Sequence, residues 1–313
     1  MNDLKAFGPV WDGAGARGFF CEGYWFHQFI PGLSFKGSTF VAKTATAHPT
    51  KGNMPLTSAH KPLEWLPRCI WVDPRRAIAL NAVGLSGPGI EELLLTQLWQ
   101  KIKKRFFLSF MPTGQDLQRQ AEVFVICLRQ QLRYFKSEQI SIQLNISCPN
   151  TGSNLGELVG VARDLLDILG KLNVPIVVKL NLEASPEAAA MIARHHACAG
   201  ICMGNTIPFG TVLPKAWWGK HFPDGSPLIA RGFEQPGGLS GAPLLPYALK
   251  WIGRFREFDR RTHVNAGGGI LQRSDVDRCK DVGANSVSIA SVAMFRPWRV
   301  RSIIRHAHAL YAR

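Results

Sequence analysis

The chain has 313 residues, 46% of them hydrophobic and 19% charged, with a formal net charge of +15. That length and apolar content suffice for a sizeable core, as one large α/β domain or two ordinary ones, and exclude a chiefly disordered chain. No apolar run approaches the roughly 20 residues of a membrane-spanning helix, and the excess of lysine and arginine implies attraction to an anion: nucleic acid, an acidic partner, a phosphorylated cofactor or a carboxylate substrate.

The basic residues are spread over helix-like stretches, KIKKR at 101–105, GRFREFDRR at 253–261 and the final RPWRVRSIIRHAHALYAR, so no block chooses among these partners, and a solvated basic surface is the plain alternative. The opening MNDLKAFGPVWDG shows no basic region followed by an apolar stretch and a cleavage site. Neither a secretion signal nor an anchor is expected, and a cytoplasmic location is. Seven cysteines, at 21, 69, 127, 148, 198, 202 and 279, form no CxxC pair and read as reduced thiols. Cys198 and Cys202 are spaced so as to imitate a metal pair, but ACAGICM is apolar and offers no second ligand pair, so core packing is the expectation.

In chain order, residues 1–37 read as an N-terminal extension that closes the bottom of the domain with a small hairpin, ahead of a catalytic domain at 38–313. Short β-rich runs then stand at 38–43, 77–83, 105–110, 141–147, 175–181, 200–205, 263–268 and 286–291. Between most of them lie stretches with apolar residues at three- and four-residue spacing, at 89–104, 117–135 and 155–172. Ser185 and Ser274 are the expected N-caps of two more helices, with Pro186 at a first helical position and Gly283 just past an end. Eight β–α units in one chain of this length predict a closed (β/α)8 barrel of parallel strands. Residues 44–76 and 206–242 break the rhythm and read as long inserted binding loops.

A barrel packs its interior with branched apolar residues and builds its active site at the carboxyl ends of its strands. Here those ends are polar or small: Lys43, Asn81, Ser109, Asn145, Lys179, Asn205, Gly268 with Gly269, and Ala290 with Ser291. NAGGGI at 265–270 followed by IASVAM at 289–294 suits a phosphate on the last two strands, because glycines let backbone N–H groups approach an anion. Lys43 and Lys179 are costly at buried strand ends unless an anion meets them. A flavin, whose ring gathers negative charge near N1 and O2 on reduction, would supply that anion.

These residues resemble the Cys-type, class 1 dihydroorotate dehydrogenases over about 38–300, through KTATAHPTKGNMP (43–55), NAVGLSGPG (81–89), LNISCPNTG (144–152), VVKLN (177–181), GNT (204–206), GGLSGAPL (237–244) and AGGGI (266–270). The resemblance implies oxidation of dihydroorotate to orotate with flavin mononucleotide (FMN). It implies that Cys148 is the base, that Lys43, Asn81, Val83, Gly84, Leu85, Asn145, Asn150, Asn205 and Thr206 contact substrate, and that PNTGSNLG (149–156) is a lid. FMN would be held by Lys43, Thr44, Ser109, Asn145, Gly204, Gly241, Gly268, Gly269, Ala290 and Ser291, with Lys179 beside N1 and O2. The same resemblance suggests a homodimer and no membrane partner, and it leaves the electron acceptor open between a separate iron–sulfur and flavin subunit linked to NAD, fumarate and another small molecule. The chain departs from the family where GAGARGFFCEG lacks a serine, where the third strand offers Ser109 for asparagine, and where ASV replaces Gly-Thr at the last strand. A related flavin barrel acting on another dihydropyrimidine, and a tRNA-dihydrouridine synthase, stay open as alternatives; the GCP cysteine context of the latter is not matched, so nucleic acid is not the expected partner.

Overall fold

The computed structural model describes residues 3–24, 27, 29–137, 139–146 and 155–312. The strands are β1 (Val10–Asp12), β2 (Phe40–Val41), β3 (Ile70–Asp73), β4 (Ile78–Asn81), β5 (Phe106–Phe110), β6 (Ile140–Asn145), β7 (Ile176–Leu180), β8 (Cys198–Met203), β9 (Ile207–Pro208), β10 (Gly238–Gly241), β11 (His263–Ala266) and β12 (Ser286–Ile289). The helices are α1 (Ile90–Leu95), α2 (Leu117–Gln131), α3 (Leu155–Gly170), α4 (Pro186–Ala193), α5 (Lys215–His221), α6 (Pro227–Ala230), α7 (Leu245–Phe258), α8 (Arg273–Asp281), α9 (Ser291–Phe295) and α10 (Val300–Tyr311).

Eight strands run in the order β1-β12-β11-β8-β7-β6-β5-β2, all neighbours parallel. The two ends of that order meet: Asp12 N donates to Thr39 O at 2.9 Å and Thr39 N to Val10 O at 2.8 Å. The sheet is therefore a closed (β/α)8 barrel. Period-two alternation sorts its side chains. Ile140, Ile142 and Leu144 of β6 and Ile176, Val178 and Leu180 of β7 pack outward among Leu165, Leu166 and Leu169 of α3 and Ala189 and Ile192 of α4. Ser185 does cap α4, its side chain accepting from Ala188 N at 3.1 Å. The cap of α8 is Gln272 rather than Ser274, paired with Asp275 in a reciprocal capping box.

Two strand assignments differ from expectation. The segment 1–37, read as standing ahead of the barrel, supplies its first strand, β1. Before it, a single turn over Leu4–Phe7 sends Leu4 and Phe7 into a cluster with Trp11, Val41, Phe107 and Val177, which fills the amino-terminal end of the barrel. The run at 77–83, expected as a barrel strand, instead forms β4, antiparallel to β3 and β10 in a separate sheet of order β3-β4-β10-β9. Its apolar residues serve another core, Ile78 and Leu80 packing with Ile207, Trp218, Phe222, Leu228 and Leu239. The long stretches 44–76 and 206–242 thus carry β3, β9, α5, α6 and β10.

Candidate active site

A cleft of about 1320 Å³ opens at the carboxyl ends of the barrel strands, walled on one side by Ala79, Asn81, Ser240 and Gly241 of the small sheet. Of the residues expected at the site, Lys43, Thr44, Asn145, Lys179, Gly204, Asn205 and Thr206 line it from barrel strand ends, and Val83, Gly84 and Leu85 from the loop after β4. Gly268, Gly269, Ala290 and Ser291 line it from the last two strands. Ser109 lies one layer deeper, 1% exposed, sharing a 2.9 Å hydrogen bond with Thr44 Oγ1. Cys148, Asn150 and the expected lid up to residue 154 lie outside the described residues.

Lys179 is the most unusual group here. It sits on β7, half-buried and facing the cleft, with no hydrogen-bond acceptor or carboxylate for its ammonium among the described residues. Burial pushes its ammonium pKa below the usual lysine value, with the Cys202 thiol opposing only weakly. Lys43 donates from Nζ to Ser86 O and lies 4.6 Å from the centre of the Phe19 ring. Its pKa is pushed down to about 8, again by burial. Two ammonium groups that meet no carboxylate among the described residues make the floor of the cleft a place for an anion.

The amide side chains are already organised. Asn205 Nδ2 donates to Asn145 Oδ1 at 2.8 Å, and Asn205 Oδ1 accepts from Thr206 N at 3.1 Å. In the loop after β4, no acceptor meets the N–H groups of Val83, Gly84 or Leu85 among the described residues, and Gly84 and Leu85 have φ of 67° and 60°. Successive N–H groups in such a turn form a concave anion-binding nest. The N–H groups of Gly268, Gly269 and Ser291 likewise meet no acceptor among the described residues. Gly268 and Gly269, at φ 88° and 89°, hold a left-handed conformation that side-chain-bearing residues rarely adopt.

Below the cleft, β11 and β12 turn a polar cluster into the barrel beside the apolar one, against the expectation of a wholly branched apolar filling. Ser288 Oγ donates to Asn265 Oδ1, Asn265 Nδ2 donates to Ser286 Oγ at 2.8 Å, and His263 Nε2 lies 2.8 Å from the same hydroxyl. Cys202 Sγ joins at 3.3 Å from Asn265 Oδ1, while burial raises its thiol pKa, so it is a core thiol as expected.

A family model described as dihydroorotate dehydrogenase matches residues 9–309. The chain belongs to the dihydroorotate dehydrogenase family. Two relatives, both the catalytic subunit of dihydroorotate dehydrogenase B (NAD(+)), span nearly all of it. That of Latilactobacillus sakei is 25% identical over 97% of this chain and 90% of its own length. That of Bacillus thuringiensis is 28% identical over 99% and 90%. In structure, the dihydroorotate dehydrogenase of Eimeria tenella, solved in complex with ferulenol, has the same fold, with a TM-score of 0.66 at 17% identity over 99% of this chain and 86% of that one. This member of the dehydrogenase family is thus an oxidoreductase of the class acting on CH–CH donors.

Several cleft residues of this family member were not singled out from the sequence. Gly13, Ala14, Gly15 and Ala16 line the cleft in spite of the missing serine. Their turn is pinned by Asp12, which is 0% exposed, accepts from Arg17 Nε at 2.6 Å and from Ser38 Oγ at 2.6 Å, and also pairs with Arg17 through Nη2. The small residues directly after a strand were the available signal. Leu63, Trp65 and Leu66 of the 44–76 stretch stand at the rim, exposed by 63%, 72% and 86%.

Proposed function

We propose that this chain oxidises dihydroorotate to orotate with FMN, in pyrimidine biosynthesis. The observation that carries the reading is Lys179: a half-buried ammonium that meets no acceptor among the described residues, at the floor of a cleft whose loops also present backbone N–H groups without an acceptor among those residues. An anion brought by a ligand would stabilise the charged form of this lysine. The residues fit FMN: Gly268, Gly269 and Ser291 have N–H groups for a phosphate, Lys179 has the charge for the N1 and O2 edge, and Gly204 adds no side chain to the cleft it lines. When bound, FMN would supply the hydride acceptor.

The chain's own groups suit the substrate. Dihydroorotate is an imide-like ring bearing a carboxylate. Side-chain amides, which donate and accept together, match the ring edge, and the Asn145–Asn205 pair supplies two. The nest at Val83, Gly84 and Leu85 is apt for the carboxylate, and Lys43 adds a cation at the same mouth. Cys148 follows Asn145 by three positions, and we assign it the removal of the ring proton as a thiolate, favoured by the positive field of the two lysines.

For onward electron transfer we expect a separate subunit, because the relatives of matching length are named as the catalytic subunits of NAD(+) enzymes. A homodimer and a cytoplasmic location are further parts of this reading. No helix among the described residues is long and apolar enough to cross a membrane. The test is orotate formation by the purified protein supplied with FMN, dihydroorotate and a soluble electron-accepting dye. Orotate absorbance growing with time is expected; none above the enzyme-free control overturns the reading.

A further inference from the structure

Behind the loop after β4, the segment 43–54 takes up that loop's carbonyl groups one after another. Asn53 Nδ2 donates to Ala82 O at 2.7 Å and Asn53 N to Val83 O at 2.8 Å. Thr50 Oγ1 donates to Leu85 O and Lys43 Nζ to Ser86 O. Ser86 Oγ donates to Val83 O at 3.1 Å and accepts from Met54 N at 2.9 Å. Gly52 lies so close that a Cβ there would stand 2.6 Å from Val83 O.

The peptide unit is planar and trans, so its C=O and its N–H point in opposite directions. Fixing Ala82 O on Asn53 therefore aims Val83 N–H the other way, and fixing Val83 O aims Gly84 N–H. Val83 and Gly84 line the cleft, whereas Asn53 does not; it lines a smaller cavity of about 630 Å³ on the far side of the loop. One residue, using a side-chain donor and a backbone donor, thus sets the direction of two of the three N–H groups in the nest without touching the cleft.

We propose that Asn53 is a positioning residue for recognition of the substrate carboxylate. It acts through the Ala82 and Val83 peptide units, and the proposal rests on the dihydroorotate reading above. Removing its amide frees the Ala82–Val83 peptide to rotate, so the nest loses its fixed shape while the amides of Asn145 and Asn205 stay in place. The penalty falls on ligands that carry the carboxylate and spares those that lack it.

The experiment uses FMN-loaded enzyme and measures binding of orotate and of uracil, a pyrimidine without the carboxylate, by the change each makes in the flavin spectrum, alongside KM and kcat for dihydroorotate. In Asn53→Ala, orotate affinity is expected to fall, and KM to rise, by about 10- to 100-fold, the size of loss that slight misplacement brings. Uracil affinity, flavin content and kcat are expected to stay close to wild type. Asn53→Asp keeps the size and the backbone donor but sets an acceptor against Ala82 O, so it is expected to lose at least as much, and it serves if the alanine variant does not fold. Equal losses for orotate and uracil, or wild-type orotate binding in the aspartate variant, overturn the proposal. A wild-type enzyme that does not prefer orotate to uracil overturns the functional reading itself.

Discussion

Lys179 and Cys202 are register partners on the neighbouring strands β7 and β8, an ammonium at the floor of the cleft beside a buried thiol, and no carboxylate meets the ammonium among the described residues. Burial pushes the lysine pKa down and the cysteine pKa up, so both changes favour the uncharged forms. Lys179→Met, which keeps the reach and removes the charge, is expected to leave the FMN-free protein at least as stable as wild type, since the cost of desolvating the ammonium is removed. The loaded variant is expected to reduce its flavin about 10²- to 10³-fold more slowly, as for the loss of one preorganised electrostatic group. Denaturation midpoints and stopped-flow absorbance check the two halves; reduction at the wild-type rate would refute the charge role.

Cys148→Ala is expected to keep FMN and orotate binding while losing about 10²- to 10⁴-fold in dihydroorotate oxidation, the range for a positioned base. Turnover near wild type would remove Cys148 from the mechanism.

His263 supplies a pH dependence. Burial, helped by the nearby Arg256, pushes its imidazole pKa down to about 4 from 6.5. Between those values the unfolded chain binds more protons at this site, so the stability it confers is complete above pH 6.5 and is lost as pH falls toward 4. Asp12 has the opposite slope: burial, outweighing Arg17 and Ser38, raises its carboxyl from 3.8 to about 6, so the folded state binds more protons there between those values. The raw pH curve mixes both, and the informative quantity is the difference between wild type and His263→Asn. Wild-type urea midpoints are expected to fall more steeply from pH 6.5 to 4 than the variant's; parallel curves would contradict the assignment.

Phe7 is 1% exposed, with its ring centre 4.7 Å from that of Phe107 inside the barrel. Phe7→Ala is expected to cost about 3–5 kcal/mol of stability, as for other buried phenylalanines. A loss below about 1 kcal/mol, well under that range, would mean that the amino-terminal turn is not part of the barrel core.

The strand ends were legible because a polar residue closing an apolar run leaves a local mark, and Lys43, Asn145, Lys179 and Asn205 do meet in one cleft. The closed barrel was legible too, but not the strand that closes it. Val10–Asp12 is too short a strand to show a period, and what makes it a strand is pairing with residues 39 and 287–289. Residues 77–83 carried the opposite error, because an apolar β-rich run looks the same whether its partners are parallel or antiparallel. The nest was legible only as a segment: which ends of its peptides face the cleft depends on Asn53, some thirty positions earlier in the chain.

The most direct test mixes FMN-loaded protein anaerobically with dihydroorotate, and separately with dihydrouracil, while the flavin absorbance is followed. The proposed placement of FMN between the two ammonium groups and the nest predicts rapid bleaching and one orotate formed per flavin with the first compound, and little change with the second. A colourless protein that takes up no FMN, or equal bleaching by both compounds, would contradict it.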